Sequence, residues 1–138
     1  DSNRGLYYSE DNGKTWNQSN ITSGNFSNLT IIGSSVIVSS DSSRGLFYSK
    51  DYGKTWQKSN VTFGHFRCLK VIGSTVIAGS GSYNGLYYSK NKGKTWHKSK
   101  IISGNFNCLI VSSNCFYLTF YYYLTFLLLV HLEFELLF

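Results

Sequence analysis

The chain has 138 residues, with thirteen Lys and Arg against seven Asp and Glu, a net charge of +6, and neither proline nor methionine. That charge would draw anionic partners such as nucleic acid, acidic glycans or a membrane surface, but no nucleic-acid module signature accompanies it and no nucleic-acid partner is expected. Three cysteines, Cys68, Cys108 and Cys115, show no C-x-x-C spacing, which excludes a recognisable metal pattern and favours buried thiols over a disulfide framework.

In chain order, the segment RGLYYSEDNGKTW (4–16) returns as RGLFYSKDYGKTW (44–56) and NGLYYSKNKGKTW (84–96), each displaced by 40 residues without a gap. A unit of this length copied in register marks a propeller or solenoid, whose units bury their apolar faces only by stacking on one another. Between the copies the chain breaks at turn signals into short apolar runs, in the middle unit 67–72, 74–80, 85–90 and 95–100. Four hairpin-joined strands are the content of one propeller blade. Val71-Ile72, Val76-Ile77 and Leu86-Tyr87-Tyr88 are apolar on both sides of the pleat, so these strands are expected to be sandwiched between neighbours.

The expected fold is therefore all-β, an incomplete β-propeller of stacked four-stranded antiparallel blades over residues 1–112. On this cut, 5–20 are the last two strands of one blade, 27–60 and 67–100 are complete blades, and 107–112 begin another. A closed ring of 4 to 8 such blades needs roughly 160 to 320 residues, and the chain lacks an initiator methionine. A cut N-terminus and membership of a longer protein are expected, with self-association through exposed blade faces. Residues 113–138 leave the repeat and become aromatic and apolar. Three readings stay open there: a membrane helix over 115–130, which would bring membrane association, strands that cap the last blade, or a truncated or frame-shifted end.

The motif at the heart of each copy is S-x-D-x-G-x-T-W. It comprises Ser9, Asp11, Gly13, Thr15 and Trp16, then Ser49, Asp51, Gly53, Thr55 and Trp56, then Ser89, Asn91, Gly93, Thr95 and Trp96, the last copy departing from the pattern at Asn91. This resembles the Asp-box, or bacterial neuraminidase repeat, of the β-propellers of sialidases, sortilin-type receptors, xyloglucan-cleaving glycosidases and photosystem assembly factors. The resemblance implies a structural turn on the outside of the propeller and favours an extracytoplasmic or secreted location. In physical terms the acid accepts hydrogen bonds from backbone N–H groups about two residues on, the glycine permits φ > 0, the threonine starts the returning strand and the tryptophan buries its ring beneath the turn. Asn91 keeps an acceptor oxygen without the charge, so the third turn should survive with a weaker bond. D-x-G supplies too few oxygens for calcium, and neither a metal nor a cofactor is expected.

Other signals carry less. The GKT of each copy lacks the glycine of a phosphate loop, with Tyr8, Tyr48 and Tyr88 in its place. His65, His97 and His131 share no repeat position. Sequons begin at Asn17, Asn20, Asn25, Asn28 and Asn60. Lys14, Lys54 and Lys94, with Lys50 and Lys90, and Lys58 and Lys98, recur in register and should form basic rows, read as a solvated face that protects strand edges.

A sialidase resemblance implies an Arg-Ile-Pro element, which a chain without proline cannot contain. Arg4, Arg44 and Arg67 are the only arginines, and Asp1, Glu10 and Asp41 the only carboxylates outside the box acids and the tail. They offer no pair flanking one glycosidic bond. No catalytic residue is assigned. The chain reads as a non-catalytic Asp-box propeller segment, a scaffold or interaction surface for a protein or glycan partner. The alternative is a piece of a sialidase-like or other glycoside hydrolase whose catalytic residues lie outside this chain.

Overall fold

The computed structural model describes residues 5–41, 43–81, 84–101, 103–111, 116–120 and 128–130, with side chains up to Phe106. Among these every regular element is a strand. β1 (Tyr7–Tyr8) pairs with β2 (Asn17–Gln18). β3 (Phe26–Ile32), β4 (Ser35–Ser40), β5 (Leu46–Ser49) and β6 (Gln57–Lys58) form a four-stranded sheet in that order. β7 (Phe66–Ile72), β8 (Thr75–Ser80), β9 (Leu86–Ser89) and β10 (His97–Lys98) repeat it, and β11 (Phe106–Val111), β12 (Phe116–Phe120) and β13 (Leu128–Val130) form a three-stranded sheet. Every pairing is antiparallel between consecutive strands, so each sheet is a meander.

The turns explain the register. Ile32 faces Ser35 and Ile72 faces Thr75 across two-residue loops whose first residues, Gly33 and Gly73, have φ of 61° and 56°. Glycine at that position suits the II′ hairpin, whose twist matches the flanking strands. The first strand of each sheet starts one residue before the apolar run suggested, at Phe26 and Phe66, and the register shifts immediately after it. The fourth strand is shorter than the run 95–100 implied, only His97–Lys98, because Thr95 is spent on closing the turn before it.

All six residues of β4 and of β8 are buried, which a sheet with one wet face cannot achieve. The burial comes from neighbouring units. Trp96 clusters with Ile37, Leu46 and Tyr48 of the unit before it and with Phe66 of its own, and Trp56 with the partly buried Leu6 and Ile21 of the unit before it and with Val36, Val38 and Phe47 of its own. Cys68 is buried and clusters with Ile77, Leu86 and Phe106. The sheets approach closely here: a Cβ on Gly79 would lie 2.3 Å from Cys68 Sγ and 2.8 Å from Phe106 Cβ. By contrast Leu29 and Ile31 on β3 are 57% and 60% exposed.

In the tail, the described residues 116–120 and 128–130 are strands, β12 paired with β11 and β13 with β12; the rest of 113–138, and with it residues 115 and 121–127 of the span read as a candidate membrane helix, lies outside the described residues. No helix among the described residues is long and apolar enough to cross a membrane.

Candidate functional site

Each Asp box links the third and fourth strands of a unit through a turn with two consecutive left-handed residues. Asn12, Tyr52 and Lys92 all have φ of 58°, followed by Gly13, Gly53 and Gly93 at 86°, 90° and 83°. Lys54 N donates to Asp51 O at 3.2 Å and Lys94 N to Asn91 O at 3.3 Å. This is the backbone of a type I′ turn, which needs positive φ at both central positions. The Asn-Gly of the first copy displays that preference, whereas Tyr52 and Lys92 conceal it.

The side chains then close a second ring. The Ser49 hydroxyl donates to Asp51 Oδ1 at 2.7 Å and accepts from Gly53 N at 2.8 Å. Asp51 Oδ1 also accepts from Thr55 N at 2.9 Å, and its Oδ2 from the Thr55 hydroxyl at 2.6 Å. Ser9, Asp11, Gly13 and Thr15 repeat the arrangement within 0.1 Å. The acid thus reaches four residues on, not two. The bond to the amide two residues along is made by the serine, from Asp51 N at 3.3 Å. Donors on both oxygens hold the carboxylates far below their ordinary pKa. Asp11 falls from 3.8 to about 2 through the Thr15 N–H, the Thr15 hydroxyl and the Ser9 hydroxyl, and Asp51 from 3.8 to about 2 through the Thr55 hydroxyl, the Thr55 N–H and the Ser49 hydroxyl.

In the third box Asn91 Oδ1 takes the same bonds, from Thr95 N at 2.9 Å and the Ser89 hydroxyl at 3.1 Å. Its amide donates to Thr95 Oγ1 at 2.7 Å, reversing the polarity of the bond found in the other two copies. Trp96 Nε1 donates to Gly93 O at 2.9 Å, while the Trp56 Nε1 is buried without a partner. Trp56 and Trp96 are 6% and 3% exposed, but Trp16 is 62% exposed. The rings of Trp56 and Trp96 lie against the unit before their own, and Trp16 has no earlier unit among the described residues to cover it.

Two residues noticed in the sequence only as sequons prove to join the units. Asn20 Nδ2 donates to Trp56 O at 3.0 Å while its Oδ1 accepts from Trp56 N at 2.8 Å. Asn60 does the same for Trp96, at 2.9 and 2.7 Å. Their shared repeat position, followed by Lys100, was the available signal.

Several other charged groups are engaged locally. Glu10 pairs with Lys54, which holds that ammonium group above its ordinary pKa, and Asp41 Oδ1 meets His65 Nε2 at 2.7 Å. Lys58 faces Phe47 and Lys98 faces Tyr87 across strand pairs, each ammonium 5.9 Å from the ring centroid, so part of the basic rows rests on aromatic faces. Among the described residues no group of three or more His, Cys, Asp and Glu could hold a metal ion.

Comparison with known proteins follows the same lines. The BNR/Asp-box repeat model matches residues 7–18, 47–58 and 87–98, the three turns with their flanking strands. No match is found among the curated proteins. Among solved structures the chain is similar to the Niastella koreensis GH74 (NkGH74) enzyme, with a TM-score of 0.61 and 23% identity over 85% of this chain. It spans 19% of that enzyme's length, and the likeness is one of fold. The motif, the turn geometry and the stacked sheets agree: the chain carries three BNR/Asp-box repeats on an all-β fold consistent with an incomplete β-propeller.

Proposed function

We propose that the chain is a non-catalytic propeller segment whose Asp boxes are structural turns and whose exposed surface serves as a scaffold or interaction face. One observation supports this reading above others: all four carboxylates among the described residues are engaged nearby, Asp11 and Asp51 inside their own turns, Glu10 on Lys54 and Asp41 on His65. Glycoside hydrolysis needs two carboxyl groups facing one bond from opposite sides, one poised to give up a proton near the working pH. Acids depressed to about 2 by hydrogen bonds within a turn are poor proton donors. Incubation of the full chain with a panel of β-glucans and sialosides, followed by reducing-end and sialic-acid assays, should give no turnover. Saturable hydrolysis lost in Glu10→Gln or Asp41→Asn would overturn the reading.

A second reading rests on the likeness to the GH74 enzyme. There the segment would contribute blades to a glycoside hydrolase whose reacting carboxylates lie outside this chain. An adjoining reading frame that carried two acids on long inter-blade loops, and that conferred hydrolysis when expressed in one piece with this chain, would favour it.

A further inference from the structure

Two junctions between units can be compared position by position. In the first, Glu10, Asp51, Tyr52 and Lys54 meet where the second box overlies the β1–β2 hairpin. In the second, the corresponding residues forty positions on are Lys50, Asn91, Lys92 and Lys94. Two acids and one lysine, a formal charge of −1, are replaced by three lysines, +3. The Glu10–Lys54 ion pair has no counterpart, because both of its successors are lysine.

At this second junction the structure holds an open cleft of about 270 Å³ lined by Ser34, Ser35, Tyr48, Lys50, Asn91 and Lys92. Its cations come from two different units and are placed by the fold. Lys50 Nζ sits 5.9 Å from the centroid of the Tyr48 ring, which itself forms part of the wall. Lys92 occupies the left-handed position of the type I′ turn, and its Nζ comes within 3.8 Å of where a Cβ on Gly33 would stand. Asn91 removes the carboxylate that would repel an anion, and its Oδ1 is directed at Thr95 N and the Ser89 hydroxyl. What remains is a lining with two lysines, two serines, a tyrosine and an asparagine, and no acid.

We propose that this inter-blade cleft binds a phosphate group, free or as a phosphomonoester. Doubly charged tetrahedral oxygens match two ammonium donors from separate walls, and charge-assisted hydrogen bonds are the strong ones. The assignment does not depend on whether the chain hydrolyses anything.

The test is calorimetric titration of the full chain with inorganic phosphate and with glycerol 2-phosphate, at constant ionic strength set by chloride. Saturable one-site binding in the submillimolar range is expected, and the tighter of the two ligands names the source of the group. Lys50→Glu puts back the acid of the first junction, a combination that stacks there, so the variant should fold. It should weaken binding by about tenfold or more, as should Lys92→Tyr, since a hydrogen bond to a charged group is worth at least that factor. Lys70→Glu makes the same charge change on the exposed face of β7 and should alter affinity by less than about twofold, the long-range share being screened by salt. No saturable binding of either ligand, or equal weakening by Lys70→Glu and Lys50→Glu, would overturn the proposal.

Discussion

The first and third Asp boxes close the same turn in different surroundings. Ser9, Asp11, Gly13 and Thr15 make their bonds at 2.7 to 2.8 Å beneath a tryptophan that is 62% exposed, whereas Trp96 is 3% exposed over an equivalent turn. Gly93 presses on the preceding unit, where an added Cβ would lie 2.6 Å from Ile37 Cγ1; at Gly13 it would meet only Trp16, at 3.8 Å. The turn is thus a local structure, complete within eight residues, and the core beneath it is made by the neighbour. Stability should follow that division.

The largest effect belongs to the tryptophans. Trp96→Ala should destabilise the fold by about 3–5 kcal/mol through lost burial and the cavity left behind, and Trp16→Ala by about 0.5 kcal/mol or less, read from urea midpoints. Similar costs at the two sites would break the comparison. Next comes the joint between units. Asn60→Ala leaves Trp96 N and O without their partners and should cost about 1–3 kcal/mol, with Lys100→Ala, at the repeat position that lacks the asparagine, close to neutral.

The acid limb of stability separates the boxes by chemistry. Asp11 and Asp51 have folded-state values below their unfolded ones, so what they contribute is fully present above 3.8 and is lost as the pH falls through about 2. Asn91 cannot titrate. Asp51→Asn should therefore make the loss of stability across that window shallower, measured by melting temperature against pH, and an unchanged slope would show that these acids are not the ones sensed. The smallest expected effect is a gain. Tyr52 holds φ of 58° where the first copy has Asn12, and a bulky residue is strained there. Tyr52→Asn should stabilise by about 0.5–1 kcal/mol.

Much of the fold was legible because the forty-residue displacement registers every unit on the next, and apolar pairs such as Val76-Ile77 declared strands wet on neither face. The details that escaped depend on neighbours. Identical tryptophans gave no hint that one would be exposed, since a repeat shows the residue and hides its surroundings. Asn20 and Trp56 are 36 residues apart and meet only after stacking. No role of its own was legible for the serine of the box, yet its hydroxyl both donates to the acid and accepts from the glycine amide, a double use that spacing alone does not reveal. The lysine rows were visible, but their placement over aromatic rings required the cross-strand register.

The asparagine joints also give the array a direction. The first two units each offer a carboxamide forward, and the second and third a peptide group backward, so a forty-residue copy of the middle unit inserted in frame arrives with both halves of the fastener already facing the right way. A gene of this kind can grow by tandem duplication without inventing a new interface, and it can diversify the rim residues of one copy while the fasteners keep the copies aligned.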